Sequence, residues 1–373
     1  MSARCPLCES ECRRVDEQAV SVTSESRVVP RPSTLRACER CGHYTTELEM
    51  DWAEYYRTQY DATLTDGGAD ELVTTRDGST VFRTDHDFEL YRAAVLEHCD
   101  PEAAILEFGA GHGRIVSRTL AAGFANVTAF DVGERYGESL RALLPAEQVF
   151  IGARPTGSFD VIVTFFVLEH DVDPRGSLAY MRSVANDGAT LYVVVPNYAR
   201  NPADLACADH VQHFHPDRLA ALLRELGFDP QRVDTESSIG ATIVTARAAP
   251  PSTSEPDWAA LRRAADEAAE PYLALRRRLS ERTRTLSGEQ GVYLYGAGFY
   301  GTLAASMLEG VEIRGVFDQN PRKEGKERLG TRVAAPPGAE ARYDAPLLVC
   351  LNPEIGPMVA SRYAASFPRV LAL

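Results

Sequence analysis

The sequence has little positive charge relative to its negative charge, and this disfavours one broad class of function. Of its 373 residues, 39 are lysine or arginine and 53 are aspartate or glutamate, which gives a net charge of −14 at pH 7. A short arginine run at 276–278 is the only basic cluster. Binding of nucleic-acid phosphates through charge is therefore disfavoured, and we expect a small-molecule substrate.

Long apolar runs are missing as well. No stretch approaches the roughly 20 residues that a membrane-spanning helix requires, and the first residues are polar or cysteine where a signal peptide would be apolar. We expect a cytoplasmic protein that does not enter a membrane. With 45% hydrophobic and 25% charged residues, the chain is long enough for two or three globular domains.

Four of the eight cysteines form two C-x-x-C pairs near the N-terminus, which are Cys5 with Cys8 and Cys38 with Cys41. Two such pairs present four thiolates, a strong indication of a closed structural zinc site. The segment between the pairs is too polar to build a core unaided, so metal binding would supply its folding energy. The alternative is a set of reduced thiols in a disordered leader. Cys12 and His43 are spare candidate ligands that are more simply explained as bystanders.

A glycine-rich loop follows the apolar run 103–108, which predicts a strand, and precedes a predicted helix at 113–122. Its glycines are Gly109, Gly111 and Gly113, which let the backbone turn tightly and approach a ligand closely. Glu107 at the strand end suits a ligand with an ammonium group better than one with a pyrophosphate. The next apolar run, 127–131, ends at Asp131, whose carboxylate can accept both hydroxyls of a ribose.

The central part alternates between apolar runs and helical patterns, as a parallel sheet with crossover helices requires. Strands are predicted at 103–108, 127–131, 148–151, 159–165 and 190–195, and further helices at 174–186 and 216–226. Two more β-like runs, at 232–237 and 241–246, are close enough to pair as a hairpin. The expected fold class is α/β, with a seven-stranded sheet made of five parallel strands and this hairpin.

These motifs resemble class I S-adenosylmethionine-dependent methyltransferases. The segment 159–170, which ends in Glu169 and His170, is similar to the fourth-strand motif of that class. With the cysteine pairs and a C-terminal nucleotide-fold segment, the whole chain is similar to the zinc-containing sugar C-methyltransferases of deoxysugar biosynthesis. Those enzymes methylate a carbon next to the ketone of a nucleotide-linked keto-sugar. The resemblance implies a zinc-binding and aromatic helical segment at 1–75, a methyltransferase domain at 76–250, and a linker helix with a Rossmann-like domain at 251–373.

The resemblance also implies site residues. The S-adenosylmethionine site would comprise Glu107, Gly109, Gly111, Gly113, Asp131 and Phe166. His170 matches a family position near the sugar, and Asp209 with His210 lies where the family carries a Glu-His pair. Cys207 stands where the family commonly has a tyrosine, and the segment 60–65 replaces a tyrosine-serine run. Because these positions are expected to contact substrate, the acceptor can differ from that of the family.

The chemistry itself points to histidine. Methyl transfer from a sulfonium is an in-line displacement, so the enzyme must hold the nucleophile near the methyl group and remove its proton. Four candidates, His170, His210, His213 and His215, lie on two loops that follow strand carboxyl ends. His210 is the first choice as base and His170 the second. For a carbon acceptor, a second group would stabilise the enolate oxygen.

The other histidines have simpler explanations. His213 and His215 can have purely structural roles, and His215 is well placed to flank the helix that starts at Pro216. A metal site made by His210, His213 and His215 is disfavoured because no carboxylate-rich motif accompanies them.

An aromatic cluster lies between the cysteine pairs and the central part. Trp52, Tyr55, Tyr56 and Tyr60 occur at helical spacing and are followed by a polar stretch at 63–70. The simpler interpretation is a helix that packs against the central domain. The alternative is that some of these tyrosines line a substrate cleft, since tyrosine can stack and hydrogen-bond at once.

The C-terminal part contains a second glycine motif. A proline- and serine-rich linker at 248–257 and a charged helix from 258 to about 286 precede it. Gly296, Gly298 and Gly301 follow an apolar run, and Asp318 lies 22 residues after the first of them, a spacing typical of an NAD site. Only about 80 residues follow position 291, too few for a separate catalytic domain. A scaffold or substrate-nucleotide contact, a packing role and a functional NAD site remain as alternatives.

Several functions therefore stay open. The favoured one is C-methylation of a nucleotide-linked keto-sugar through a histidine base and an enolate. The alternatives are an O- or N-methyltransferase of a sugar or other small metabolite, and a methyltransferase with a dinucleotide-binding C-terminal domain. A non-enzymatic scaffold with a vestigial donor site is disfavoured by the intact Glu107 and Asp131.

Overall fold

The computed structural model describes residues 4–61, 72–74 and 79–373 of the chain. The polar stretch at 63–70 lies outside these residues. Of the segment 60–65, which is expected to contact substrate, only residues 60 and 61 are described.

The N-terminal part is a small antiparallel sheet that carries the cysteine pairs. Its strands are β1 (Cys12–Gln18), β4 (Ser33–Cys38) and β5 (Tyr44–Glu47), and a ribbon of β2 (Ser21–Val22) and β3 (Val28–Val29) connects the first two. The fourth strand, β13 (Gln212–His213), comes from much later in the chain and pairs with β5. This pairing joins the cysteine-bearing sheet to the segment that carries the candidate histidines.

The aromatic cluster forms less helix than its spacing predicts. A single turn, α1 (Trp52–Glu54), is capped by the Asp51 carboxylate, which accepts a hydrogen bond from the Glu54 amide, and it continues as one wide π-helical turn over Tyr55–Gln59. A ribbon of β6 (Leu72–Thr74) and β7 (Thr80–Phe82) then leads into α2 (Arg83–Ala94).

The central part is a seven-stranded sheet. Its strands are β8 (Ile105–Phe108), β9 (Val127–Asp131), β10 (Val149–Ile151), β11 (Phe159–Phe165), β12 (Ala185–Pro196), β14 (Phe228–Asp234) and β15 (Ala241–Ala248). They lie in the order β10-β9-β8-β11-β12-β15-β14, and only β15 runs antiparallel to its neighbours. The helices α3 (Arg114–Ala121), α4 (Gly137–Arg141), α5 (Pro174–Ser183) and α6 (Pro216–Glu225) connect them. The expected seven-stranded α/β sheet is confirmed, and it fits a class I methyltransferase fold.

Several predicted boundaries are wrong, among them the start of β12 at Ala185 instead of 190, and two have a clear local reason. The helix predicted to 186 ends at Ser183, because Ala185 already pairs with Phe159 of the neighbouring strand. The strand predicted at 232–237 is β14, which begins at Phe228 and ends at Asp234. The carboxylate of Asp234 accepts hydrogen bonds from the amides of residues 236 and 237, and this turn stops the strand.

The C-terminal part is a six-stranded sheet preceded by a long helix. The helix α7 (Trp258–Leu286) matches its prediction. The strands are β16 (Gly291–Tyr295), β17 (Glu312–Phe317), β18 (Glu327–Arg328), β19 (Thr331–Ala334), β20 (Leu347–Val349) and β21 (Val370–Ala372), in the order β18-β19-β17-β16-β20-β21, with α8 (Phe299–Ala305) and α9 (Gly356–Arg362) between them. All neighbours pair in parallel except β18 with β19.

Buried apolar side chains connect these parts. One core cluster contains Leu35 and Tyr44 of the N-terminal sheet, Tyr272 and Leu275 of α7, and Leu294 of the C-terminal sheet. Two further clusters cover the faces of the central sheet. None of the helices in the described residues is long and apolar enough to cross a membrane.

Candidate active site

The first glycine loop sits at the carboxyl end of β8, and its three glycines differ in what surrounds them. Gly109 has φ of +85° and no room for a side chain, because a Cβ there would lie 2.2 Å from Cγ2 of Val167. A Cβ on Gly113 (φ +75°) would lie 2.7 Å from Leu143 Cδ1. Gly111 has φ of +51° and nothing within 4 Å of a Cβ. The loop is therefore packed at both ends and open at Gly111.

The two acids predicted for this site lie on neighbouring strands, since β8 and β9 pair in parallel. Asp131 accepts hydrogen bonds from the amides of Gly111 at 2.8 Å and Gly133 at 2.7 Å, which ties the loop to the strand. Burial raises the pKa of Asp131, and it raises the pKa of Glu107 well above its usual value. A cationic ligand group beside Glu107 would offset that burial cost.

Phe166 directly follows β11 and adopts φ of +55°, an uncommon conformation for an aromatic residue. Its amide donates to the carbonyl of Val194 at 2.9 Å, and the guanidinium of Arg83 lies 5.6 Å from its ring centroid. The chain therefore turns sharply here. It passes from the strand into the loop that carries Glu169 and His170.

His170 lies in a tight group of three polar atoms. Its Nδ1 is 3.0 Å from the carbonyl oxygen of Asp209 and 2.8 Å from the hydroxyl of Tyr56, which itself donates to the same carbonyl at 2.7 Å. The carbonyl oxygen can only accept, and the Tyr56 hydroxyl already donates to it, so we assign a proton to Nδ1 of His170. Its Nε2 is then left with the free lone pair.

His210 lies beside His170, with ring centroids 4.8 Å apart. Its Nδ1 is 2.6 Å from Oδ1 of Asp204, and Oδ2 of the same carboxylate is 2.8 Å from Nδ1 of His213. Nε2 of His213 is 2.8 Å from the hydroxyl of Thr46 in the N-terminal sheet. His213 is thus part of this network, whereas His215 caps α6 through a contact of 3.3 Å from Nδ1 to the Asp217 amide.

The environments of the two neighbouring histidines push their pKa values apart. Burial, together with the charge of His210, lowers the pKa of His170 to about 4. For His210, burial opposes the charged form, but Cys207 and the carboxylate of Asp204 outweigh it and raise the pKa well above the usual value. Of these two partners, Asp204 carries the charge, because burial raises the pKa of the Cys207 thiol. The two shifts therefore favour the neutral form of His170 and the imidazolium form of His210.

Asp209, one of the predicted catalytic residues, is fully buried. Its carboxylate accepts hydrogen bonds from the amide of Ser24 at 2.6 Å, the hydroxyl of Ser24 at 2.7 Å and the thiol of Cys207 at 3.2 Å. Although burial opposes it, the neighbouring histidines and Ser24 hold its pKa below the usual value. The backbone carbonyl of Asp209 lies 3.0 Å from Nδ1 of His170, and its Oδ2 lies 3.8 Å from the same nitrogen. A catalytic role for Asp209 stays a prediction.

The aromatic segment lies between the glycine loop and the histidines. The rings of Tyr56 and Tyr60 lie 5.2 Å and 5.3 Å from that of His170. Asp61 lies 3.4 Å from Nε2 of His112 in the glycine loop and accepts from Arg135 at 2.8 Å. The tyrosines therefore pack against the central domain, as the simpler interpretation expects, and they also border the histidine cluster. That they line a substrate cleft stays a prediction.

The four predicted zinc ligands come together. The sulfurs of Cys5 and Cys41 are 3.7 Å apart, those of Cys8 and Cys38 3.4 Å, and those of Cys8 and Cys41 3.5 Å. Four sulfurs around a tetrahedral zinc, each at about 2.3 Å, lie about 3.8 Å from one another. The donor set therefore fits zinc. His43 bonds Gln212 instead, at 2.8 Å, and Cys12 is not among the four.

Two further groups of potential metal ligands exist in the described residues, and neither is the one considered from the sequence. One of them is Cys207 with Asp209 and His210, and the other contains Glu169. Glu169, His170 and His210 offer ligand atoms within 4.8 Å of one another, whereas His213 and His215 do not join them. Burial raises the pKa of Glu169 to about 8, so this carboxyl group is largely protonated at neutral pH. A protonated carboxyl group does not favour a cation.

The second glycine motif is closely packed. Asp318 accepts from the amide of Ala297 at 2.8 Å, and a Cβ on Gly301 would lie 2.0 Å from the carbonyl oxygen of Gly296. Its surroundings contact the central part, since Tyr300 donates to Asn201 at 2.8 Å and Asn352 donates to the carbonyl of Arg200 at 2.8 Å. The loops of the C-terminal sheet thus face the loop that follows β12.

Sequence reasoning missed several members of the site. Asp204 and Thr46 bond the histidines, and Ser24 bonds Asp209, from separate parts of the chain that no spacing connects. The one available signal was Asp204 itself, an acid six residues before His210.

Comparisons with known proteins agree with the central geometry. Residues 84–233 match a family model described as a methyltransferase domain. No curated protein matches the chain in sequence.

Among solved structures, the chain is similar to magnesium protoporphyrin IX methyltransferase of Synechocystis PCC 6803 with bound S-adenosylmethionine (16% identity, 44% of this chain and 80% of the other, TM-score 0.35). It is also similar to the 1,6-didemethyltoxoflavin-N1-methyltransferase of Burkholderia thailandensis (20% identity, 44% and 78%, TM-score 0.35) and to the CurJ carbon methyltransferase (17% identity, 44% and 54%, TM-score 0.36). These likenesses are too low to carry an argument, so the functional assignment depends on the family model and on the residues themselves.

Proposed function

Given that the chain is an S-adenosylmethionine-dependent methyltransferase, we propose that it methylates the carbon next to the ketone of a nucleotide-linked keto-sugar. The observation that supports this most is the pair His170 and His210, whose pKa values are displaced in opposite directions at a ring separation of 4.8 Å. Neighbouring groups with divergent pKa values are typical of an acid and a base in one reaction.

S-adenosylmethionine, when bound, supplies the methyl group on a sulfonium. In this proposal Glu107 binds its ammonium group, Asp131 binds its ribose, and the open face at Gly111 leaves room for it. Gly109 and Gly113 shape the loop, and Phe166 turns the chain beside it.

His170 acts as the base in this proposal. Its Nδ1–H is held by the Asp209 carbonyl and the Tyr56 hydroxyl, so Nε2 presents a lone pair. This nitrogen takes the proton from the carbon next to the ketone, and the electron pair of that C–H bond moves toward the ketone oxygen. A weak base suffices where the enolate is stabilised well, as in ketosteroid isomerase, whose aspartate base has a pKa of about 4.6.

His210 is the group that stabilises the enolate. As an imidazolium it donates from Nε2, while Nδ1–H stays on Asp204. This reverses the order of preference drawn from the sequence, in which His210 was the first choice as base. The reason is that a histidine already protonated at neutral pH cannot accept the proton.

Two flanking parts complete the proposal. The four cysteine sulfurs would hold one structural zinc that fixes the N-terminal sheet. The C-terminal part would be a Rossmann-like domain whose loops, facing the loop after β12, contact the nucleotide of the substrate. The division at 1–75, 76–250 and 251–373 remains a prediction.

Incubation of the zinc-loaded chain with methyl-labelled S-adenosylmethionine and a panel of nucleotide-linked keto- and hydroxy-sugars tests the proposal, with NMR of the product as the readout. We expect the label on a carbon beside a ketone. A label on oxygen or nitrogen would overturn enolate chemistry and support the O- or N-methyltransferase alternative, for which one base suffices. Binding of S-adenosylhomocysteine without transfer to any of the sugars would overturn the substrate class.

A further inference from the structure

The carboxylate of Asp204 is the centre of a buried hydrogen-bond network. Asp204 lies in the short helical turn Pro202–Ala206 after β12 and is almost completely buried. Each of its oxygens is used by a different histidine, Oδ1 by Nδ1 of His210 at 2.6 Å and Oδ2 by Nδ1 of His213 at 2.8 Å. A buried carboxylate without such partners would be costly, so this arrangement fixes all three side chains together.

The network continues into the N-terminal sheet. The second ring nitrogen of His213, Nε2, lies within hydrogen-bond distance of the Thr46 hydroxyl, at 2.8 Å. The backbone supports the same contact, because β13 pairs with β5 through Gln212 with Thr45 and His213 with Tyr44. The position of the His210 ring is therefore connected to the strand that follows the second cysteine pair.

We propose that Asp204 is a positioning residue of this enzyme, which acts through His210 and is itself held by His213 and Thr46. Its contact with Nδ1 fixes one orientation of the His210 ring and leaves Nε2 as the nitrogen that can reach an acceptor. The role in catalysis rests on the proposed function, whereas the positioning of His210 does not.

The charge on His210 also depends on Asp204, as the titratable groups around the His210 ring indicate. Cys207 is close, but burial raises the pKa of its thiol, which keeps it neutral. Glu169 faces the histidines from the loop after β11 and is largely protonated at neutral pH, since burial raises its pKa to about 8. Asp209 is ionised and close to His210, so its charge adds to that of Asp204, although its hydrogen bonds go to Ser24 and Cys207. His170 is neutral. Although burial opposes it, the two histidines hold the pKa of Asp204 well below its usual value.

The first arm of the test needs no substrate. The full chain, zinc-loaded and labelled with ¹⁵N at histidine, is titrated by NMR as wild type, Asp204→Asn, Asp204→Glu and Thr46→Val, with the exposed His98 as internal reference. We expect Asp204→Asn to lower the pKa of His210 by about 1 to 3 units, the range over which a neighbouring opposite charge acts. Asp204→Glu should restore part of this change. An unchanged His210 titration in a folded Asp204→Asn chain would overturn the proposal.

The second arm measures turnover on the keto-sugar that accepts the methyl label. We expect Asp204→Asn to lower kcat by about 100-fold, the lower end of what a positioned acid or base contributes, while affinity for S-adenosylhomocysteine stays the same. If Asp204→Asn does not fold, Thr46→Val takes its place, with a smaller loss of kcat and a smaller change in the His210 titration. An unaltered kcat and titration in Thr46→Val would then overturn the proposal.

The two arms separate this inference from the proposed function. A displaced His210 titration without transfer to any keto-sugar would overturn the substrate class and leave the positioning of His210 supported. Transfer to the sugar carbon with no effect of Asp204→Asn on the His210 titration or on kcat would support the substrate class and overturn the positioning role of Asp204.

Discussion

The roles of the two histidines make opposite predictions for the pH dependence of methylation. If His210 donates as an imidazolium and His170 accepts the proton, kcat/KM rises as pH increases through about 4, where His170 loses its proton. It then falls above the raised pKa of His210, on the order of tenfold per pH unit once that proton is lost. If His210 were the base, kcat/KM would instead rise through this second, higher pKa.

The magnitude of the His210 contribution can be derived from its surroundings. It is a charged donor held 2.6 Å from a buried carboxylate and 4.8 Å, ring to ring, from the base. Removal of one such preorganised donor typically costs about 10² to 10³ in kcat, or about 3 to 4 kcal/mol. We therefore expect His210→Gln to lower kcat by this factor and to remove the decrease of kcat/KM at high pH, while the affinity for the methyl donor is unchanged.

The assay that isolates proton removal is exchange of the hydrogen beside the ketone for deuterium in D₂O, with S-adenosylhomocysteine in the donor site so that no methyl is transferred. We expect His170→Gln to abolish exchange and His210→Gln to slow it about as much as it slows kcat. Exchange that persists in His170→Gln and disappears in His210→Gln, together with a rising alkaline limb, would refute the assignment and restore His210 as the base.

Three further predictions concern the donor loop, the metal and acid stability. Gly111→Val should abolish binding of S-adenosylhomocysteine by calorimetry, because its side chain would fill the open face of the loop; Gly188→Val, with a similar φ of +71° and equally open surroundings, is the matched control and should bind normally. The purified chain should contain about one zinc ion by atomic absorption, which Cys5→Ser should lose together with the fold of the N-terminal sheet, whereas Cys99→Ser should keep it; a fully active zinc-free chain would contradict this. Burial holds the pKa of His170 at about 4, whereas the pKa of an unfolded histidine is 6.5. As the pH is lowered from 6.5 to 4, the unfolded chain takes up the proton first, so the free energy of unfolding decreases by up to about 3 kcal/mol. Chemical denaturation should show this loss in the wild type and not in His170→Gln, and equal acid sensitivity of the two would exclude the buried neutral histidine.

Local patterns in the sequence were sufficient for the elements that carry their own signal. The glycine loop after β8, the acid at the end of β9 and the order of strands and helices in the central part all follow from apolar periodicity and from glycine at positions of positive φ. The two C-x-x-C pairs likewise identified four sulfurs that meet in space. Boundaries were less predictable, as at Asp234, whose side chain ends a strand that the sequence predicts to residue 237.

What only the tertiary structure decided is the chemical state of the site. The sequence supplied the residue types and the loops that bear His170, Asp209 and His210, because these depend on neighbours in the chain. It did not supply Asp204 as the shared partner of two histidines or Thr46 as the end of that network. Protonation depends on burial and on charges brought together across the fold. For that reason, a spacing of residues can locate a pair of histidines, while the packing around them determines which one carries the proton.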